Sequence, residues 1–320
     1  MTVTKSGAAD TDQGRQSAPI EVSIPVERPG ARAHAEWGEQ EVVIDQARGR
    51  LSFAMREAMA ARELLALMVA RDVSVRYRQA ALGVAWALFV PLIRLAVFSL
   101  FFGFLGRMGP NDMPQLPYAV FLFSGMVIWD YFNSSLGRAA NSLEASQGLL
   151  SKVYFPRLLL PLASVISPLV ELGFMFLVMV GVLAWHHEVV TPNWALLSLL
   201  PLYALMAVGA ALGFGLWLAG FNAHYRDVRQ ALPVMINMAF FATPVLYPIE
   251  LVREKFPAWA VHLYELNPMV TVVMGFRAGL LGMDPPGLVT VLSGVGVVVF
   301  ALATGLLVFN RMEKTVADVL

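Results

Sequence analysis

The sequence predicts an all-α, polytopic membrane protein that crosses the bilayer six times. Of its 320 residues, 58% are hydrophobic and 14% are charged, with a mean hydropathy of +0.64, whereas soluble chains carry about 25% charged residues. Six apolar stretches are each long enough to cross a hydrocarbon core of about 30 Å. They lie near 80–106, 117–137, 158–185, 194–221, 230–249 and 287–309.

Charge balance and cysteine content exclude several kinds of function. The 23 basic residues match 23 acidic ones, so no excess of charge indicates a nucleic-acid partner. Cysteine is absent, which rules out disulfides, thiolate metal sites and cysteine nucleophiles. No lysine follows a glycine, so the chain lacks the Gly-Lys-Ser/Thr end of a nucleotide-binding P-loop.

The N-terminal part of the chain is predicted to lie outside the membrane. Residues 1–52 mix small, polar and charged residues without a period and without the apolar core of a signal peptide, so we expect a disordered cytoplasmic tail. In residues 53–79, arginines surround apolar residues such as Leu64, Leu67 and Met68. This pattern predicts an amphipathic helix at the cytoplasmic membrane surface, either as an anchor for the first span or as a contact for a partner.

Residues 80–312 form the predicted six-span domain, and 313–320 a cytoplasmic C-terminus. The fifth stretch contains three prolines, at 233, 244 and 248, so we expect it to be kinked or broken. Between spans five and six, residues 250–286 are amphipathic but too interrupted to span. We therefore expect one or two short helices at the outer face.

Basic residues near the span ends predict that both termini are cytoplasmic, because lysine and arginine accumulate on the inner side. With the N-terminus inside, the count is eleven inner residues against four outer ones. The inner residues are Arg62, Arg71, Arg76, Arg78, Arg138, Lys152, Arg157, Arg226, Arg229, Arg311 and Lys314. The outer residues are Arg107, Arg253, Lys255 and Arg277.

Three charged residues fall inside predicted spans, namely Arg94, Asp130 and Glu171. Counting residues from the span ends puts all three near mid-depth, where a lone charge costs about 2.5 to 3.5 kcal/mol on insertion scales. We therefore expect Arg94 to pair with Asp130 or Glu171. The pair could fix helix packing or line a substrate path.

The run His186, His187, Glu188 could suggest a metal site or an enzyme. Adjacent histidines in a loop point in different directions, and the sequence offers no further ligands. We therefore expect no metal and no catalytic residues.

Five runs of sequence resemble one family in order and spacing. They are RDVSVRYRQAALGVAWALFVPLIRLAVFSLFFGFLGRM, PYAVFLFSGMVIWDYFNSSLGRAANSLEASQGLLSKVYFPRLLLPLA, FNAHYRDVRQALP, ATPVLYPIE and LNPMVTVVMGFRAGLLG. Together they resemble the permease subunits of type-2 ABC exporters for lipid-linked polysaccharides, such as O-antigen, capsule and teichoic-acid exporters. The resemblance covers about residues 60 to 312.

The resemblance implies a homodimer of permease subunits in the bacterial cytoplasmic (inner) membrane, with a channel for a polyprenyl-linked glycan at the dimer interface. Two copies of a separate P-loop ATPase would bind ATP and Mg, so no cofactor is expected in this chain. The alternatives are a type-2 exporter of a small molecule or drug, and a membrane-embedded glycosyl- or acyltransferase.

The resemblance also implies where the ATPase and an exterior gate would lie. The loop 141–157 maps onto a coupling helix, and 221–230 onto a shorter contact. The coupling candidates are Glu144, Gln147, Leu149, Lys152, Tyr154, Pro156, Arg157, Tyr225, Arg226, Asp227 and Arg229. The gate candidates are Asn267, Pro268 and Arg277. Arg94 and Asp130 depart from the apolar or neutral residues expected there.

Aromatic residues are dense in spans one, two and five. Most would face lipid or the core, but some could line a passage, where sugar rings would stack on their faces. The candidates are Phe98, Phe102, Tyr131, Phe132, Phe240 and Phe241.

Overall fold

The computed structural model of the protein describes residues 61–78, 84–105, 116–146, 148 and 155–317. Within these ranges the regular structure is all helical, as predicted. The α-helices are α1 (Arg62–Arg78), α2 (Val84–Phe98), α3 (Tyr118–Ala145), α4 (Leu159–Ile166), α5 (Leu169–Trp185), α6 (Trp194–Leu197), α7 (Leu200–His224), α8 (Arg226–Phe241), α9 (Ile249–Lys255), α10 (Ala258–Glu265), α11 (Pro268–Leu281) and α12 (Leu288–Ala317). A π-helical turn, Ser99–Leu105, continues α2.

Several predicted features lie outside the described residues. They are the tail 1–52, residues 53–60 of the amphipathic helix, residues 318–320, and the coupling candidates Gln147, Leu149, Lys152 and Tyr154. Arg226 is described only by its position at the start of α8.

Three segments of the described chain are helical, long and apolar enough to cross a membrane: Leu159–Trp185, Trp194–Asn222 and Leu288–Met312. They coincide with the third, fourth and sixth predicted spans. The other predicted spans correspond to α2 with the π-helical turn, to α3 and to α8. Of these, α3 has 28 residues, which is about 42 Å of helix.

Prolines interrupt two of the predicted spans. Pro168 separates α4 from α5, because proline has no N–H to continue the helical hydrogen bonds. In the fifth stretch, α8 contains Pro233 but ends at Phe241, before the other two prolines. The predicted break of that stretch is therefore present.

Helix α7 packs between α3 and α12, and small residues allow this close approach. A Cβ atom added at Gly215 of α7 would lie 2.6 Å from the Cβ of Ala139 on α3. A Cβ added at Gly305 of α12 would lie 2.5 Å from the backbone oxygen of Gly213 on α7. Membrane helices commonly associate through such small residues, because lipid provides little hydrophobic drive for packing.

The amphipathic helix begins the described chain and buries one face. In α1, Met68 is buried in a cluster with Leu143 of α3, Leu159 of α4 and Phe309 of α12. Leu67 on the same helix is exposed. The helix therefore packs against the protein through an apolar face, and its location at a membrane surface stays a prediction.

The segment between α8 and α12 contains three short helices, α9 to α11, where the sequence predicted one or two. All 14 residues of α11 are buried, yet α11 is only about 21 Å long and cannot cross the hydrocarbon core. It ends at Gly282, whose φ of 72° is left-handed and suits glycine as a helix C-cap. The extra helix arises because Pro257 and Pro268 each begin a new one.

Candidate functional site

Five of the six aromatic candidates form one cluster around Trp129. Phe98 and Phe240 stack with 5.7 Å between ring centroids, and Phe240 lies 5.6 Å from Trp129. The other members are Phe102, Phe132 and Phe241, each 5.4 to 5.9 Å from a neighbouring ring. The cluster joins α2 and its π-helical turn to α3 and α8.

Tyr131 lies apart from this cluster. Its side chain is buried, and its hydroxyl donates a hydrogen bond of 3.0 Å to the backbone oxygen of Val165 in α4. Trp129 and Phe132 are three residues apart and share a face of α3, whereas Tyr131 projects elsewhere. The same spacing is the signal that could have identified Trp129 from the sequence.

A cavity of about 750 Å³ borders the cluster between α3, α7, α8 and α12. Its volume is within the range of small-molecule sites, and we call it the aromatic cavity. Among its lining residues are Trp129, Phe132, Trp217, Phe221, Ile236 and Phe300. The indole N–H of Trp217 donates to the hydroxyl of Thr304 at 3.0 Å. That polar group is therefore satisfied, and the cavity wall is almost wholly apolar.

Arg94 of α2 forms an ion pair with Asp130 of α3. The predicted pairing of Arg94 with an intramembrane carboxylate is therefore present. The two residues lie beside the aromatic cluster, since Asp130 follows Trp129 and Arg94 is one turn before Phe98. The pair places charge next to aromatic faces that are otherwise in apolar surroundings.

Glu171, the alternative partner expected for Arg94, lies beside two other arginines. Its carboxylate pairs with Arg76 of α1 and lies 3.5 Å from the guanidinium of Arg138 on α3. Both arginines were counted as inner-flank residues. Glu171 lies in the first turn of α5, three residues after Pro168, and its depth in the membrane stays a prediction.

The ends of α3 and α8 that carry coupling candidates are joined. Glu144 forms an ion pair with Arg229. Asn222 at the end of α7 donates to the backbone oxygen of Ala140, at 3.1 Å, and to the side-chain oxygen of Asn141, at 2.9 Å. Sequence reasoning missed Asn222.

The remaining described coupling candidates differ in exposure. Tyr225 is 62% exposed, although it is a large aromatic residue. Asp227 is also exposed, and Pro156 and Arg157 are half-buried just before α4. This end of the molecule therefore combines the ion pair of Glu144 and Arg229 with the exposed side chains of Tyr225 and Asp227.

Two gate candidates on α11 hold the chain that follows α8. The side-chain oxygen of Asn267 accepts from the N–H of Met269, capping α11 at 3.0 Å, and its amide donates to Thr243 at 2.9 Å. Arg277 donates to the backbone oxygens of Pro244 and Val245, at 2.5 and 2.7 Å. Pro268, the third candidate, is buried as the first residue of α11.

Arg277 is the most buried charge of this segment, with 3% exposure. Its guanidinium lies 3.7 Å from the centroid of the Phe121 ring on α3, a cation–π contact. Burial lowers the pKa of Arg277 to about 9, so it stays charged at neutral pH. Backbone carbonyls, an aromatic face and the nearby carboxylate of Glu250 compensate its charge.

Comparison with known proteins identifies the family. Residues 63–281 match the ABC-2 type transporter family. The chain belongs to that family. The resemblance predicted from the sequence is confirmed, and the chain is a multi-pass membrane protein and a transport subunit.

Relatives of this ABC-2 permease include named export proteins. The O-antigen export system permease protein RfbA of Myxococcus xanthus is 30% identical over 228 residues, or 70% of this chain and 82% of the relative. An RfbA protein of Klebsiella pneumoniae is 27% identical over 81% of this chain and 95% of the relative. The polysialic acid transport protein KpsM of Escherichia coli is 24% identical over 63% and 75%.

The histidine run of this ABC-2 permease is engaged with its own helix end. The Nδ1 atoms of His186 and His187 lie 3.0 and 3.1 Å from the backbone oxygens of Val182 and Ala184. Among the described residues, no group of three or more His, Cys, Asp or Glu side chains is arranged to hold a metal ion. Both histidine side chains therefore lie against backbone oxygens in the last turn of their own helix, α5.

Proposed function

We propose that this chain is the membrane-spanning subunit of an ATP-driven exporter that moves a polyprenyl-linked polysaccharide, such as an O-antigen, across the bacterial inner membrane. Membership of the ABC-2 type transporter family supports the permease role. The polysaccharide substrate rests on one observation, the names of relatives that export O-antigen or transport polysialic acid.

The proposed topology has six spans and both termini in the cytoplasm. Three helices are long and apolar enough by themselves. The others are supplied by α2 with its π-helical turn, by α3, and by α8 together with the chain that follows it to Pro248. In this orientation α1 lies at the inner surface, and α9 to α11 form the exterior gate. An ion pair between Arg253 of α9 and Glu265 of α10, at 2.7 Å, supports the gate as one unit, since Glu265 also accepts from Thr290 of α12 at 2.9 Å.

A second copy of the chain would complete the passage. α2 with its π-helical turn and α8 expose large apolar side chains, including Phe101, Phe104, Met238 and Phe241. These elements also carry most of the aromatic cluster. Dimerisation through them would surround the passage with aromatic faces, on which sugar rings can stack without hydrogen bonds that would hold them in place.

Two copies of a separate P-loop ATPase would drive the exporter and bind its ATP and Mg. The ion pair between Glu144 and Arg229 supports the proposed coupling, because it makes the ends of α3 and α8 respond together. Exposed Tyr225 gives the ATPase an aromatic contact. Closure of the ATPase dimer would shift these helix ends between discrete packings.

The proposal is tested by deleting the chain in its native host and following the glycan. We expect loss of surface polysaccharide and accumulation of polyprenyl-linked polymer inside the cell, restored by the wild-type chain but not when the ATPase is inactivated. A tagged chain should also copurify the ATPase in mild detergent. Normal surface glycan with increased sensitivity to a drug would instead support a small-molecule exporter.

A further inference from the structure

The aromatic cavity offers a ligand few polar contacts. None of the described residues that line it is charged, and apart from Trp129 its polar side chains bond within the protein. On the side of α12, the hydroxyl of Thr304 accepts from the indole N–H of Trp217 at 3.0 Å and donates to the backbone oxygen of Phe300 at 2.5 Å. These groups are therefore not available to a ligand.

The end of the cavity next to α11 is engaged in the same way. The hydroxyl of Thr243 donates to the backbone oxygen of Ala239 at 2.8 Å and accepts from the amide of Asn267 at 2.9 Å. A polar ligand held in the cavity would give up its hydrogen bonds to water and gain few in return, which is costly. The cavity therefore fits a hydrocarbon chain better than a free sugar or a phosphate group.

The cavity opens towards the surroundings between α8 and α12. Three large apolar residues of its wall are also exposed, namely Met235 of α8, Leu266 after α10 and Phe300 of α12. The exposed apolar surface continues beyond them, with Met238 on α8 and Val299 on α12. In a multi-pass membrane protein such a surface meets lipid chains, which are as apolar as leucine. The bilayer can therefore supply the ligand directly.

The length of the cavity matches one leaflet of the bilayer. Its lining residues on α8 run from Leu232 to Ala242, which is about 15 Å of helix at about 1.5 Å per residue. One leaflet is half of a hydrocarbon core of about 30 Å, or about 15 Å. An acyl chain of a phospholipid extends through one leaflet, whereas the isoprenoid chain of a polyprenyl carrier is much longer. The dimensions therefore favour the phospholipid.

We infer that the aromatic cavity holds one acyl chain of a bilayer phospholipid, which enters between α8 and α12. This inference goes beyond the proposed function, because the lipid is a bound component and not cargo. The chain lies between Ile236 and Ala239 of α8 and the facing residues Phe300 and Ala301 of α12. It fills the gap between these helices, so the packing of α8 depends on the surrounding bilayer.

The test measures the fluorescence of Trp129, which lines the cavity and is 2% exposed. The chain has seven tryptophans, and all the others are replaced by phenylalanine. The full chain is placed in nanodiscs of phosphatidylcholine whose acyl chains carry bromine near the methyl end, the part at mid-depth. Bromine quenches an indole on contact, so lipid that only surrounds the protein should leave Trp129 bright. We expect about a twofold loss of fluorescence relative to unbrominated nanodiscs, because the lipid is in large excess over the site.

Two adjacent substitutions in α8 separate the cavity from the outer surface. Ala239→Phe would place a ring in the cavity, and we expect it to reduce the quenching at least about threefold, because the ring occupies the space of the chain. Met238→Phe is the matched control, since Met238 is 67% exposed and does not line the cavity, and it should leave the quenching unchanged. Misfolding of the Ala239→Phe variant would expose Trp129 to lipid and increase the quenching, which is opposite to the expected result.

Absence of quenching at Trp129, or equal quenching in the Ala239→Phe and Met238→Phe variants, would overturn the inference. Two further arms identify the occupant. Decaprenyl phosphate at a small fraction of the lipid should not restore the fluorescence, and nanodiscs with one or two copies of the chain should show equal quenching.

The opposite results in these two arms would assign the cavity elsewhere. Restoration by decaprenyl phosphate would assign it to the isoprenoid chain, and quenching in single-copy nanodiscs alone would assign it to the second copy. Either result would overturn the inference. No arm measures transport, so the outcome is independent of the proposed function.

Discussion

The two ends of α3 are held in different ways. At its first residue, the Tyr118 hydroxyl donates to the backbone oxygen of Leu246 at 2.6 Å. Arg277 donates to backbone oxygens of the same segment, those of Pro244 and Val245. At its other end, side chains pair with side chains, as Glu144 does with Arg229. Arg277 is buried, whereas Glu144 and Arg229 are 35% and 49% exposed, so water can replace the ion pair more easily than the buried bonds. The first end is therefore suited to stay fixed, and the second to move.

Substitution of Arg277 should have the largest effect. Arg277→Met would leave the oxygens of Pro244 and Val245 without their donor inside a buried segment, and we expect a loss of about 3 to 5 kcal/mol in unfolding free energy. Thermal unfolding in detergent measures it. Lys255→Met is the control, since Lys255 lies exposed in α9 of the same segment. If both variants unfold at the same temperature, the hydrogen bonds of Arg277 do not fix the first end of α3.

Substitution of Glu171 tests the second end. Glu171→Gln would leave Arg76 and Arg138 facing each other without their shared carboxylate. Because the three side chains are one quarter to one third exposed, we expect a loss of only about 1 kcal/mol. The same thermal assay compares it with Arg277→Met. A loss as large as that of Arg277→Met would contradict the contrast between the two ends.

The cap of α11 should contribute a similar or slightly smaller amount. Asn267→Ala removes the acceptor for the Met269 N–H and the donor to Thr243, and helix caps contribute about 1 kcal/mol. Asn267→Asp keeps the cap acceptor but loses the donor, so it should recover part of the loss. Equal unfolding temperatures for Asn267→Ala and Asn267→Asp would show that the bond to Thr243 dominates.

The smallest effect on stability is expected at Glu144 and Arg229. Their side chains are 35% and 49% exposed, so Glu144→Arg should cost about 0.5 kcal/mol or less. Its main consequence should be weaker stimulation of the partner ATPase by the permease. The swapped variant, Glu144→Arg with Arg229→Glu, should restore stimulation. Failure of the swap would mean that Arg229 contacts the ATPase itself.

Residue pattern alone predicted the all-helical class, three of the spans and the break in the fifth stretch, because hydropathy and proline act locally. The pairing of Arg94 was also predictable, since an isolated charge in a span requires a partner. The arginine partners of Glu171 were not predicted, because a count of residues along the chain does not show which side chains of other helices lie beside it. Tyr131 was grouped with the other aromatic residues because composition does not distinguish the faces of α3.

The hydrogen bonds from Arg277 to the backbone oxygens of Pro244 and Val245 could not be predicted from the sequence either. As an arginine in an exterior segment it was counted as a flanking charge, whereas the structure buries it among carbonyls of a distant turn. These bonds join residues more than 30 positions apart in the chain. Such contacts depend on how the helices fold back on one another, which the periodicity of the sequence does not indicate.

A single turn of α8 separates the aromatic cavity from a second cavity, of about 1050 Å³, that opens between α1, α3, α4 and α8. Leu232 and Ile236 are four residues apart and lie on one face, and Pro233 between them has no N–H to donate to the backbone oxygen of Arg229 one turn earlier. Bending there would withdraw both side chains together and join the two volumes. Leu232 and Ile236 would thus act as an apolar barrier that opens when this part of α8 bends.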